Sequence, residues 1–103
     1  MDKILYPASV MGQVDIPASK GQTFRALMIA LCARGISVIH NPRLTPDTQT
    51  CINFIQKLGA KITINDNTLI VDSTDLNPKD DIIVDCKNSG STLYYATALS
   101  CHL

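Results

Sequence analysis

Apolar residues recur along this chain at two spacings, and the changes between them mark out its elements. Phe24, Leu27, Met28 and Leu31 stand at i, i+3, i+4 and i+7 in a stretch, 22–34, dense in Ala, Leu and Met. That spacing predicts a helix with one apolar face. Gly35 follows where a left-handed cap is expected. Before it, Val14-Asp15-Ile16 alternates apolar and polar and predicts a short strand ended by Pro17, with a loop and helix-start signal at 18–21. Residues 36–40 alternate β-branched positions and predict a strand closed by Asn41-Pro42. Thr45-Pro46-Asp47 supplies a capping hydroxyl, a first-turn proline and an acid, so a second helix starts there. It buries Cys51, Ile55 and Leu58 and stops at Gly59. Strands at 61–64 and 68–72 flank the turn Asn65-Asp66-Asn67. A polar loop at 73–80 contains Pro78, residues 82–84 predict a buried strand, and 88–92 lead into a third helix.

The expected order is β-α-β-α-β-β and then β-α, an α/β (α+β) arrangement whose second part restarts the first. Sliding the chain along itself so that Gly90 falls on Gly21 also puts Thr92 on Thr23 and Cys101 on Cys32. The reading is one full repeat at 12–72, a loop at 73–80 and the start of a second repeat at 81–103. The last helix runs to Leu103 with no Gly or Asn to cap it, so the expectation is an interrupted, longer protein.

Composition narrows the function. Nine basic and nine acidic residues give a net charge of zero, which argues against a nucleic-acid binder because that needs a basic stripe. An anion site must then come from local geometry. The longest apolar run, 26–33, falls far short of the roughly 20 residues that span a bilayer. Cys32, Cys51, Cys86 and Cys101 form no C-x-x-C pair and read as buried free thiols suited to a reducing cytosol. His40 and His102 lie at no metal-ligand spacing, so no metal is expected. A soluble, cytoplasmic protein is the expectation.

Two loops could do chemistry, since each consists of small polar residues and precedes a helix whose free N–H groups attract anions. At the first, Lys20 and Arg25 add two positive charges, a point charge and a bidentate fork. At the second, Asn88-Ser89-Gly90-Ser91-Thr92 offers amides and hydroxyls, and Gly90 allows close approach to the backbone. The alternative stays open at both: Asn88 or Ser89 as a plain N-cap, Lys20 and Arg25 as solvated helix-end charges. Tyr94 and Tyr95 read as packing residues. No nucleotide P-loop pattern and no Ser-His-Asp or Cys-His spacing is present.

Read together, these strings resemble a known family. Gly12-Gln13-Val14-Asp15-Ile16-Pro17-Ala18-Ser19-Lys20, followed by Arg25-Ala26-Leu27, is similar to the opening signature of 5-enolpyruvylshikimate-3-phosphate (EPSP) synthases, G-x-V-x-I-P-G-S-K-S and then R-A-L. Asn41-Pro42, Asp47-Thr48 and Leu58-Gly59-Ala60 match the next segment in order. Asp85-Cys86-Lys87-Asn88-Ser89-Gly90-Ser91-Thr92-Leu93 resembles the second signature, G-N-S/A-G-T. The related UDP-N-acetylglucosamine enolpyruvyl transferases stand second, because they usually carry Asn after the lysine and lack the R-A-L arginine.

The resemblance implies the β-α-β-α-β-β repeat of an inside-out α/β barrel. It also implies transfer of the enolpyruvyl group from phosphoenolpyruvate to the 5-hydroxyl of shikimate 3-phosphate, without metal or organic cofactor. Lys20 would contact both substrates and take part in catalysis; Gly21 and Arg25 would bind shikimate 3-phosphate. Asn88 and Gly90 would line the phosphoenolpyruvate pocket, with Ser91 and Thr92 beside them. Position 21 is Gly where the family usually has a hydroxyl, position 18 is Ala instead of Gly, and Tyr94 stands where Arg is common. Family members are several times longer, with the site in a cleft between two domains, so the chain alone is expected to be inactive. A stand-alone anion-binding module, or a structural piece self-associating through incomplete faces, are the competing expectations.

Overall fold

Three helices and three strands follow the order α1 (Lys20–Cys32), β1 (Ile36–His40), α2 (Pro46–Lys57), β2 (Lys61–Asn65), β3 (Thr68–Asp72) and α3 (Gly90–Ser100) in a computed structural model that describes residues 2–102. The strands form one antiparallel sheet in the order β1-β3-β2. Pairing of Asn65 with Thr68 leaves Asp66-Asn67 as the hairpin loop, and Asp66 takes φ 48°. A short polar side chain tolerates that left-handed geometry, as the turn sequence predicts.

α1 and α2 cover one face of the sheet. The predicted stripe Phe24, Leu27, Met28 and Leu31 is buried, as are Cys51, Ile55 and Leu58 of the second helix, and Leu69 and Val71 meet them from the central strand. α2 starts as expected: Thr45 and Thr48 form a reciprocal capping box, with Pro46 at the first helical position. Its end is set by Gly59 at φ +104°, where a β-carbon would lie 2.8 Å from the Asn77 nitrogen. Only glycine fits that turn without displacing backbone.

Buried hydroxyls lock the elements together. Ser73 Oγ donates to the Ala30 carbonyl at 2.7 Å and accepts from the Gly35 N–H at 3.2 Å. It thereby ties the end of β3 to the end of α1.

Several expectations change. Residues 14–16 form no strand, and Val14 and Ile16 are 75% and 78% exposed. Alternation marks a face, but a strand needs a ladder partner, and none lies beside this segment among the described residues. Residues 82–84 also form no strand. Ile82 and Val84 lean on the core while Ile83 is 81% exposed, its carbonyl accepting from Lys57 Nζ. The left-handed residue after α1 is Arg34, φ 55°, rather than Gly35. All four cysteines are free, yet only Cys51 is buried; Cys32 and Cys101 are exposed and Cys86 is half-buried. α3 closes at Ser100 with Cys101 as its C-cap, and Leu103 lies outside the described residues.

Candidate functional site

Ser19 caps α1, its side chain accepting from the Gln22 N–H, so Lys20 and Gly21 belong to the first helical turn rather than to a loop. One turn later Arg25 is exposed, with its guanidinium beside Gly21: a β-carbon at position 21 would meet Arg25 Nη1 at 3.7 Å and Ser19 Oγ at 3.9 Å. Those are ordinary contacts, so the backbone does not itself demand glycine there.

A relay of hydroxyls brings the start of α2 to the start of α1. Thr23 Oγ1 donates to the Ser19 carbonyl and accepts from the Arg43 N–H, both at 2.9 Å. Thr48 Oγ1 donates to the Arg43 carbonyl at 2.9 Å. Both threonines are buried while their partners Ser19 and Arg43 are exposed, so these bonds are partly shielded from competing water. Held this way, Lys20 Nζ and Asp47 Oδ2 pair at 2.9 Å, with side chains 49% and 34% exposed. The pair is partly solvated and screened, so its weight lies in placing the ammonium more than in stability. The sequence marks Asp47 only as a first-turn acid; nothing local to it signals a partner 27 residues away.

Asp47 also lines a cleft of about 430 Å³ with Pro46, Gln49, Thr50, Asn53, Lys87 and Asn88. Asn88 is exposed on its wall, and Gln49 Nε2 donates to Asn53 Oδ1 at 3.1 Å along it. Lys20 and Asn88, from the two predicted loops, are therefore linked through Asp47. Gly90 and Ser91 open α3 and are exposed, but do not line this cleft. Thr92 is fully buried; its hydroxyl accepts from Ser89 Oγ at 2.7 Å, and Ser89 in turn caps the helix through the Thr92 N–H. Of the two residues read as a plain N-cap, Ser89 is the one that serves. The capping serines align at an offset one residue longer than the one that superposes Gly90 on Gly21.

The family model for EPSP synthase (3-phosphoshikimate 1-carboxyvinyltransferase) matches residues 5–103. The chain belongs to the EPSP synthase family. Its curated relatives named 3-phosphoshikimate 1-carboxyvinyltransferase include one from Chlamydia caviae, 39% identical over 95 residues, covering 91% of this chain and 21% of that relative. Another, from Methanococcoides burtonii, is 36% identical over 94 residues, covering 90% of this chain and 22% of the relative. A third, from Clostridium botulinum, is 34% identical over 102 residues and is covered to 24% of its length. The chain thus spans about a fifth to a quarter of the length of the EPSP synthase relatives it matches. The mixed helix and sheet architecture agrees with the family's α/β domain. No helix among the described residues is long and apolar enough to cross a membrane.

Proposed function

We propose that this chain supplies part of the substrate-binding surface of an enolpyruvyl transferase, which moves the enolpyruvyl group of phosphoenolpyruvate to the 5-hydroxyl of shikimate 3-phosphate and releases phosphate. In this reading Lys20, Gly21 and Arg25 hold shikimate 3-phosphate. Lys20, Asn88 and Gly90 hold phosphoenolpyruvate, with Ser91 beside them and Thr92 supporting the turn from beneath. The reaction uses no metal or organic cofactor. Lys20 is the residue proposed to act on both substrates, and Asp47 keeps its ammonium at the cleft edge.

The observation that carries this reading is the Lys20–Asp47 pair beside the cleft that Asn88 lines. Lys20 pairs with one wall residue of the cleft, Asp47, and Asn88 is another. A cation and an amide from distant parts of the sequence thus have that wall in common, which supports recognition of a small dianion. Residues 12–72 serve as one repeat, 73–80 as its connection and 81–103 as the opening of the next. The four free thiols suit the cytoplasm. The exposed apolar side chains Ile29 on α1 and Leu93 and Tyr94 on α3 are the faces through which the chain would self-associate.

Calorimetric titration with shikimate 3-phosphate tests the reading. Wild type is expected to give heat that Lys20→Ala and Arg25→Ala each reduce; no heat with any of the three proteins overturns it. A phosphate-release assay on the chain alone is expected to show no turnover, because positioning and electrostatics from only part of the family's length do not enclose the substrates.

A further inference from the structure

We propose that Lys87 is an additional anion-binding residue of this cleft, selective for the small phosphate-bearing carboxylate rather than for shikimate 3-phosphate. The inference rests on the enolpyruvyl-transfer reading and names a residue which that reading does not use. Lys87 lines the 430 Å³ cleft together with Asp47, Gln49, Asn53 and Asn88. It also borders the adjoining smaller hollow, which shares Asn53 with the first. Asp47, the carboxylate of the cleft, is committed to Lys20, and among the described residues no carboxylate pairs with Lys87. The wall of the larger cleft therefore carries a lysine that makes no ion pair among the described residues, beside the amides of Gln49, Asn53 and Asn88. In the smaller hollow Asp85 accepts from the Lys87 backbone N–H and Lys57 stands as a second cation, a combination that suits an incoming anion.

The backbone holds Lys87 in place. Its φ is 46°, a left-handed geometry that glycine adopts freely and lysine does not. The second signature quoted above has glycine at this position. Here the conformation is kept by Asp85 Oδ1, which accepts from the Lys87 N–H at 2.9 Å, and by the Ser89 N–H donating to the Cys86 carbonyl at 2.8 Å. The turn thus has the shape a glycine would give it and carries a charge that glycine cannot.

Lys87→Gly is the informative variant, since glycine accepts this φ without strain and the fold should be retained by circular dichroism. Titration with phosphoenolpyruvate should show a dissociation constant raised about fivefold in Lys87→Gly and restored in Lys87→Arg, with the difference shrinking as salt is raised. Shikimate 3-phosphate affinity should not change. Equal phosphoenolpyruvate affinity in wild type and Lys87→Gly overturns the role of Lys87 and leaves the enolpyruvyl reading standing. A loss shared equally by shikimate 3-phosphate overturns it too, as the mark of a disturbed loop instead of a contact. Absence of binding of either substrate to wild type overturns both.

Discussion

α1 and α3 begin with the same chemistry and end in different surroundings. Each is capped by a serine whose side chain accepts from the backbone N–H three residues on. α1 then buries six residues between the sheet and α2, whereas Thr92 is the one residue of α3 that is buried. α3 packs on α2, and Tyr95 approaches Phe24 with ring centroids 6.2 Å apart. Capping is a local property that a few residues specify. Burial needs a sheet beneath the helix, and β1, β3 and β2 lie beneath α1 and α2. Both helix starts are thus equally well formed, while the first is far more firmly held.

The contrast is tested most severely in the core. Leu27→Ala, at a fully buried site, should cost about 2–5 kcal/mol in urea unfolding followed by circular dichroism. In a chain this small that approaches the whole stability. Leu99→Ala, half-buried on α3, should cost about half as much or less. Equal losses would mean α3 is as integral as α1. Next comes the hydroxyl pair. Thr23→Val removes both bonds of the Thr23 hydroxyl, the one it donates to the Ser19 carbonyl and the one it accepts from the part-buried Arg43 N–H, and should cost about 1–3 kcal/mol. It should also loosen Lys20 from Asp47, read as a reduced response of shikimate 3-phosphate binding to Asp47→Asn. Thr92→Val removes only the partner of the Ser89 hydroxyl, so about 0.5–1.5 kcal/mol is expected.

Local signals carried most of this fold. The i, i+3, i+4, i+7 stripe of α1 and the Thr45-Pro46-Asp47 start each depend on residues within a turn of one another and stand where the sequence puts them. The Asn65-Asp66-Asn67 turn narrows to Asp66-Asn67, and of Asn88 and Ser89 it is Ser89 that caps α3. The failures are nonlocal. Val14-Asp15-Ile16 and Ile82-Ile83-Val84 have strand composition, but pairing depends on what lies alongside, which alternation cannot report. The left-handed position after α1 falls on Arg34, while Gly35 continues the β1–β3 ladder by bonding Ser73, distant in sequence but opposite it in the sheet. At the site, Lys20 and Asn88 were legible as polar residues at helix starts. Asp47 was not legible as their link, since its meeting with Lys20 depends on the route through Thr23, Arg43 and Thr48.

The caps give a finer test. Ser19→Ala and Ser89→Ala should each cost about 1 kcal/mol. The larger loss is expected at Ser89, which is buried and has no water to replace it. A larger loss at Ser19 would break the idea that cap chemistry is equal and only surroundings differ.

The smallest effect lies at the exit of β3, on the firmly held side of the comparison. Hydrogen bonds from Thr74 hold the Asp72 carboxyl below its ordinary value, with Lys61, its cross-strand partner, adding to the shift. A carboxyl lowered on folding stabilises the fold above its unfolded pKa, and that contribution is lost as pH falls through the lowered folded value. The window therefore lies below about pH 4. Wild type should lose its advantage over Asp72→Asn as urea midpoints are followed downward from neutral pH into that window. A constant difference between the two proteins would show that the Asp72 turn is formed equally in the unfolded chain. The exit of β3 would then be a local motif like the two caps, not a product of the sheet.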